Sequence, residues 1–337
     1  MEGYFAYGTL ADNPKYSCVN ATLSEAEMAA RNEKSPILGA LYIAYGLLVQ
    51  TCYALTLSVI ATREFRQISC YKFMLSLGIN PFLPGYLYMI GTEYCMLPRF
   101  LYVTGSICNG IFNTCCALCF FLVINRCVDF WKPYIADFLF RGWKTWIYVA
   151  ISGIYGIFYA IIPPPIIFNS NYGSWIYHPF IPGKEHLVYV SVYQTVSNFI
   201  VASTIFICYV IICILHAMKT KGYHNQFQAR AKRKILFQAI TVCFFTMLTT
   251  GIWASMIFIP PTMTLMHIGH CSWQMMHGTP ALVYLFMNKS IQRRVIKKFK
   301  RMCGYRPIFI TEIGSVDNVS HHTQNANGTS AAANQLY

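Results

Sequence analysis

Apolar and polar positions along this chain fall into long blocks, not short alternations. Seven runs of mostly apolar residues stand out: Ile37–Thr62, Phe73–Gly91, Phe100–Asn125, Trp143–Ile162, Leu187–Leu215, Ile235–Ile259 and Met263–Met287. A membrane span needs about 20 such residues, because the hydrocarbon layer is roughly 30 Å thick and a helix rises about 1.5 Å per residue. The short alternating segments of a membrane β-barrel are absent from the sequence. Backbone amides in lipid must find partners within their own segment, so the runs are expected to be helices. Pro81, Pro84 and Pro280 interrupt them, which a bundle tolerates where neighbours re-satisfy the freed carbonyls. The expected fold class is an all-α membrane protein, with a seven-helix bundle over residues 37–287.

Composition agrees with the pattern. The chain is 55% hydrophobic and only 11% charged, and its mean hydropathy is +0.42. Soluble domains carry about 25% charged residues, so this chain is expected to use lipid as its solvent. Its first residues lack a cationic start followed by an apolar core, so the first helix is expected to target the chain.

Charge then sets an orientation. All but five of the 26 Lys and Arg fall in alternate loops and the C-terminal tail; the exceptions are Lys15, Arg31, Lys34, Arg99 and Lys184. Positive charge stays in the cytoplasm during insertion, which places the N-terminus outside. The net charge of +14 therefore calls for no nucleic acid; the anionic inner leaflet is its expected partner.

Residues 1–36 read as an exterior tail. It carries a glycosylation sequon at Asn20, whereas the sequons at Asn288, Asn318 and Asn327 fall on the cytoplasmic side and are expected to stay unused. Most of the 14 cysteines lie inside the apolar runs, as do Cys115, Cys116 and Cys119, and read as small buried hydrophobes. Cys18 and Cys95 differ. Cys95 to Arg126 spans about 46 Å if helical, more than the apolar layer, so Cys95 is expected above it. The outside is oxidising, so a Cys18–Cys95 bridge is expected; the alternative is two free thiols.

Residues 288–303 read as an amphipathic helix on the inner leaflet. Ile291, Val295, Phe299 and Met302 share one face, and Lys and Arg fill the rest. Cys303 at its end is either a palmitoylation site or an ordinary reduced thiol. Residues 304–337, rich in Asn, Ser, Thr and Ala, read as disordered.

Seven helices, an exterior N-terminus and a basic helix after the last span are the plan of G-protein-coupled receptors. "LVINRCVDF" at Leu122–Phe130 resembles the inner arginine motif of rhodopsin-like receptors, with Asn125 where an acid usually stands. Arginine is costly in lipid unless it snorkels or lines a cavity. The resemblance implies that Asn125 and Arg126 form a coupling switch, satisfied within the bundle in one state and by a G protein in the other. The alternative is a positive-inside anchor. A finer resemblance is to nematode chemosensory serpentine receptors of class T. It rests on "YSC" (Tyr16–Cys18), "SCYKFMLSLGI" (Ser69–Ile79), "CMLPRFLYVTG" (Cys95–Gly105), "INR" (Ile124–Arg126), "IIPPPIIFNSNYGSWIYHP" (Ile161–Pro179) and "SWQMMHGTPALVYLFMNKSIQRRV" (Ser272–Val295). These run in order across nearly the whole chain. The resemblance implies a receptor for an odorant or other small molecule, coupled to a heterotrimeric G protein in the plasma membrane of a sensory cilium. The sequence departs from the pattern at Asn80, where this family often has Asp. Trp253 lacks the proline two residues on that rhodopsin-like receptors carry, and the loop between the fourth and fifth runs has no cysteine for the usual receptor disulfide.

The seventh run has no Lys, which excludes a retinal Schiff base, and the apolar part of the third has no Asp or Glu to hold a cationic amine. An uncharged or weakly polar ligand is expected in the outer half of the bundle. Judged by depth, its candidate contacts are Tyr102, Tyr193, Trp253, His270 and Gln274; the alternative for each is ordinary packing or an interhelical hydrogen bond. His267, His270, Gln274 and His277 share one helix face, with Cys271 beside the first two. His270 and His277 lie about 10 Å apart along the axis, too far to share an ion, and a zinc site at His267, His270 and Cys271 lacks a fourth ligand. Neither metal nor cofactor is expected. Asn80 and His277 are expected in an interhelical polar seam. Enzyme signatures such as HExxH, GxSxG and the P-loop are absent from the sequence. The second reading is a seven-helix ligand-gated channel or small-molecule transporter. Insect odorant channels place the N-terminus inside, which the charge count opposes, and transporters show repeats that this chain lacks.

Overall fold

The computed structural model of the chain describes residues 7–19, 35–62, 87, 91–184, 186–220, 226–256, 258–259 and 262–303. Asn20, Asn80, most of the second apolar run and the tail from residue 304 lie outside the described residues. The described helices are α1 (Pro36–Ile60), α2 (Pro98–Trp131), α3 (Pro133–Phe140), α4 (Lys144–Ile161), α5 (Val192–Thr220), α6 (Gln226–Ser255), α7 (Met263–Met287) and α8 (Lys289–Met302). Between α4 and α5 lies a two-stranded antiparallel hairpin, β1 (Ile167–Asn169) and β2 (Ser174–Ile176), with Phe168 opposite Trp175.

Local chemistry explains where the helices begin. Proline opens α1, α2 and α3, where its missing N–H and fixed φ cost nothing. The Ser191 hydroxyl accepts the Gln194 amide at 3.2 Å, so α5 starts at Val192 and not at Leu187, as apolarity alone had suggested. Thr262 caps α7 by accepting from the Leu265 amide, and Asn288 caps α8 by accepting from Ser290 and Ile291.

Four described helices are long and apolar enough to cross a membrane: α1, α2, α4 and the Val192–Leu215 part of α5. The apolar part of α6 is shorter, Ile240–Ser255. Helix α7 is long enough but breaks its apolarity with buried His270, Gln274 and His277. A polar interior face thus lowers the hydropathy of a helix that packs against α6 and α1.

Helix α2 occupies the middle, packed against α4, α5, α6, α3 and β1. Its 34 residues amount to about 51 Å of helix, well over the hydrocarbon thickness. Its contact with α4 is a bare backbone approach. A Cβ at Gly156 would stand 2.6 Å from the Gly110 carbonyl oxygen and would overlap the Thr114 hydroxyl. Small residues at such crossings let membrane helices gain van der Waals contact without a hydrophobic driving force.

The hairpin turns on Asn169, whose side-chain oxygen accepts from the Asn171 amide at 2.9 Å and the Tyr172 amide at 3.4 Å. It is tied to the segment before α2, where Thr92 donates its amide to the Ser170 hydroxyl at 3.0 Å and accepts from the Ser170 amide at 3.2 Å. Cys18 and Cys95 are joined by a disulfide, with their Cα atoms 5.7 Å apart. It fixes the N-terminal segment to the short 3-10 turn Tyr94–Met96 that precedes α2.

The α2–α4 crossing generates a prediction. Gly156→Ala should lower the melting temperature of the purified chain, since overpacking costs about 1–3 kcal/mol. Gly153→Ala, with nothing within 4 Å of an added Cβ, should not. Equal melting temperatures for the two variants would show that the crossing is not close-packed.

Candidate functional site

A cavity of about 400 Å³ lies among α2, α5, α6, α7 and the segment from β2 to α5. Helix α2 contributes Asn109 and Phe112, and α5 contributes Gln194, Thr195 and Asn198. Trp253 and Met256 come from α6, and Met266, His270 and Trp273 from α7. Trp175, Tyr177, His178, Phe180 and Tyr189 enclose it from the hairpin side. Among the described residues, the lining contains no Asp, Glu, Lys or Arg. Pockets of this size take small organic ligands, with apolar walls and a few placed polar groups.

Neutral amides are prominent among its polar groups. Asn113 and Gln194 pair reciprocally across α2 and α5: Asn113 Nδ2 donates to Gln194 Oε1 at 2.8 Å, and Gln194 Nε2 donates to Asn113 Oδ1 at 3.2 Å. Gln194 Nε2 also donates to Asn198 Oδ1 at 2.8 Å. Asn113 Nδ2 reaches the Asn109 carbonyl at 2.9 Å, and Asn109 Nδ2 reaches the Tyr159 carbonyl of α4 at 3.4 Å. A second line of hydroxyls backs the amides, with Tyr155 donating to Ser197 at 2.7 Å and Tyr159 to the Tyr193 carbonyl at 2.8 Å. Buried amides without partners would cost about 1–3 kcal/mol each, so this network fixes three helices relative to one another.

The opposite wall is aromatic. His270 stacks on Trp273 at 5.8 Å between centroids, and Phe168 and Tyr42 meet its ring edge-on. Gln274 Nε2 lies 3.2 Å from His270 Nε2, which ties the ring to the next turn of α7. On the hairpin side, the Phe180 amide donates to His178 Nδ1 at 3.0 Å. Phe180 holds a φ of 53°, a left-handed conformation costing a non-glycine residue about 1–2 kcal/mol. Its ring stacks on Tyr172 at 4.8 Å and meets His178 at 4.3 Å, so ring contacts hold the strained residue at the cavity.

Of the residues that depth along the helices suggested, Trp253 and His270 line the cavity, and Tyr102, Tyr193 and Gln274 do not. Tyr193 is 57% exposed; a helix turns about 100° per residue, so its neighbour Gln194 faces the cavity instead. Tyr102 is fully buried beneath Tyr16, 5.1 Å between ring centroids. Gln274 sits behind His270 as its hydrogen-bond partner. His277 lies deeper, with Nδ1 3.6 Å from the Cys115 thiol of α2 and its carbonyl accepting from Tyr53 of α1 at 2.8 Å. His267 is half-buried and Cys271 is exposed, 3.8 Å from the Tyr42 hydroxyl. The amides Asn109, Asn113, Gln194 and Asn198 were not anticipated. The signal was present: two amide pairs at four-residue spacing inside apolar runs.

At the other end of α2, Asn125 and Arg126 are both buried. Arg126 Nη1 lies 3.6 Å from Asp129 Oδ2, one turn along. Asp129, three residues after Arg126, thus supplies the acidic partner that position 125 lacks. Helix α8 packs its Ile291 against the bundle and contacts α1 and α7. Its Phe299 and Met302 are exposed, as is Cys303 just beyond it.

Residues 3–305 match the protein family described as "Serpentine type 7TM GPCR chemoreceptor Srt". The chain is also similar to "Serpentine receptor class T-55" of Caenorhabditis elegans, at 22% identity over 298 residues, 86% of this chain and 81% of that protein.

A double-mutant cycle on Asn113→Ala and Gln194→Ala tests the amide pair. Each single variant should lose about 1–3 kcal/mol of stability, and the two losses should couple by about 0.5–3 kcal/mol. Strictly additive losses in chemical denaturation would remove the pair from the account.

Proposed function

We propose that this chain, which belongs to the Srt family of serpentine seven-transmembrane chemoreceptors, binds an uncharged small molecule in the cavity between α2, α5, α6 and α7 and activates a heterotrimeric G protein. The family makes it a multi-pass membrane receptor. One observation carries the ligand reading: among the described residues, the cavity is lined by aromatic rings and neutral amides and by no Asp, Glu, Lys or Arg. A cationic or anionic ligand would lose its hydration shell there without gaining a counter-charge. A neutral molecule with one or two polar atoms loses little, and finds apolar walls for the remainder.

The positive-inside distribution of Lys and Arg supports an exterior N-terminus, with the cavity toward the outside and Arg126 toward the cytoplasm. In this orientation Arg126 is the coupling switch together with Asn125. Its ion pair with Asp129 is the resting partner, exchanged for the G protein on activation. Helix α8, with basic residues on one flank and Phe299 and Met302 exposed, rests on the anionic inner leaflet. Acylation of the exposed Cys303 would deepen that contact. Asn20 is the exterior glycosylation site, and the sensory cilium of a chemosensory neuron is the place of action.

A panel of neutral and charged odorants, applied to cells expressing this chain with a promiscuous G protein, tests the reading. Neutral members should evoke responses and charged ones should not. Arg126→Ala should abolish the response while surface expression persists. Ligand-evoked current from the purified chain in a bilayer without G protein would replace the receptor reading with a channel.

A further inference from the structure

The short segment at residues 13–18 packs against Tyr189, a residue of the cavity wall. Asn13 nucleates it, its side-chain oxygen accepting from the Lys15 amide at 2.9 Å and the Tyr16 amide at 3.3 Å. The Ser17 amide closes the turn on the Asn13 carbonyl at 2.9 Å. Asn13 and Tyr16 are both buried, at 2% and 4% exposure, which is unusual for a chain terminus without tethers.

Three tethers account for that burial, and all reach the turn from other parts of the fold. Lys184 Nζ, from the loop after β2, donates to the Pro14 carbonyl at 2.7 Å and the Ser17 carbonyl at 2.8 Å. These are charge-assisted bonds, stronger than neutral ones. The Tyr189 hydroxyl donates to the Lys15 carbonyl at 2.7 Å. The disulfide from Cys18 to Cys95 ties the end of the turn to the start of α2.

Tyr16 is the centre of the arrangement. Its ring meets Tyr102, Tyr189 and Tyr94 edge-on, at 5.1, 5.6 and 6.1 Å between centroids. Burial, with smaller contributions from the surrounding tyrosines, raises the Tyr16 phenol well above its ordinary pKa, so the group is neutral. Among the described residues its hydroxyl has no hydrogen-bond partner; the ring contacts hold it. Tyr189 lines the cavity and continues the contact by meeting His178, another lining residue, at 4.7 Å.

We infer that residues 13–18 are a component of the binding site. They cap the cavity on the hairpin side, and Tyr16 is a positioning residue that acts through Tyr189 and His178. The Cys18–Cys95 bridge and Lys184 hold the cap shut. Ligand exchange from the aqueous side then requires the cap to lift, so its tethers set the rate of entry and release. The inference rests on reading the cavity as the ligand site.

A test without any ligand separates the two readings. A cysteine reporter is introduced by Thr195→Cys, since Thr195 lines the cavity, and the full chain is placed in nanodiscs. The probe is a membrane-impermeant trimethylammonium methanethiosulfonate, and peptide mass spectrometry follows position 195 apart from the native cysteines. Labelling should be slow in the otherwise intact chain. It should rise about tenfold with Tyr16→Ala, Cys18→Ser or Lys184→Met, as local opening becomes cheaper. Tyr16→Phe retains the ring and should restore slow labelling. Equal rates in all of these would overturn the inference, and fast labelling in Tyr16→Phe would overturn the role of the ring. Should Tyr16→Ala fail to fold, Cys18→Ser and Lys184→Met carry the same test. A silent odorant panel with this labelling pattern intact would reject only the ligand reading.

Discussion

Helix α2 is held between two unlike contacts, and the positions of its neighbours follow from them. On one side its backbone touches α4 at Gly110 and Gly156, with no room for a methyl group. On the other, Asn113 and Gln194 exchange two amide hydrogen bonds with α5. In lipid, apolar side chains supply little net drive for association, so close packing and interhelical hydrogen bonds fix the register. Asn113 lies one turn from Gly110, so both constraints act at nearly one level of α2. The cavity opens at this level because the paired amides cannot collapse onto apolar neighbours without losing partners.

The apolar blocks announced the helical class, because a span must be about 20 residues long and no soluble core absorbs so much hydrocarbon. The ends of the elements were harder to read. Ser191, not the apolar content of residues 187–191, sets the start of α5. The hairpin has strands of three residues, too short for any alternation to register; only the turn-forming Asn169–Gly173 stretch marks it. Helix α3 is eight residues long with half its length exposed or nearly so, and hides in a loop between two stronger signals.

The cavity depended on rotation about each helix axis, which depth alone does not give. Tyr193 and Gln194 sit at the same depth, and only Gln194 faces the cavity. The polar residues of α5 carry the better signal, because amides inside an apolar run face the bundle interior. The N-terminal cap was out of reach of any local pattern. Its partners, Lys184, Tyr189 and Cys95, come from segments far along the chain, and only their convergence on residues 13–18 brings the tail against Tyr189 of the cavity wall.

The central claim is that occupancy of this cavity by a neutral molecule drives signalling. Filling the cavity from its own wall tests it most directly. Thr195→Trp should place an indole in the roughly 400 Å³ space, leave surface expression and melting temperature intact, and abolish the response to any odorant that activates the unaltered chain. A full response from Thr195→Trp at the same odorant concentration would show that the ligand acts elsewhere.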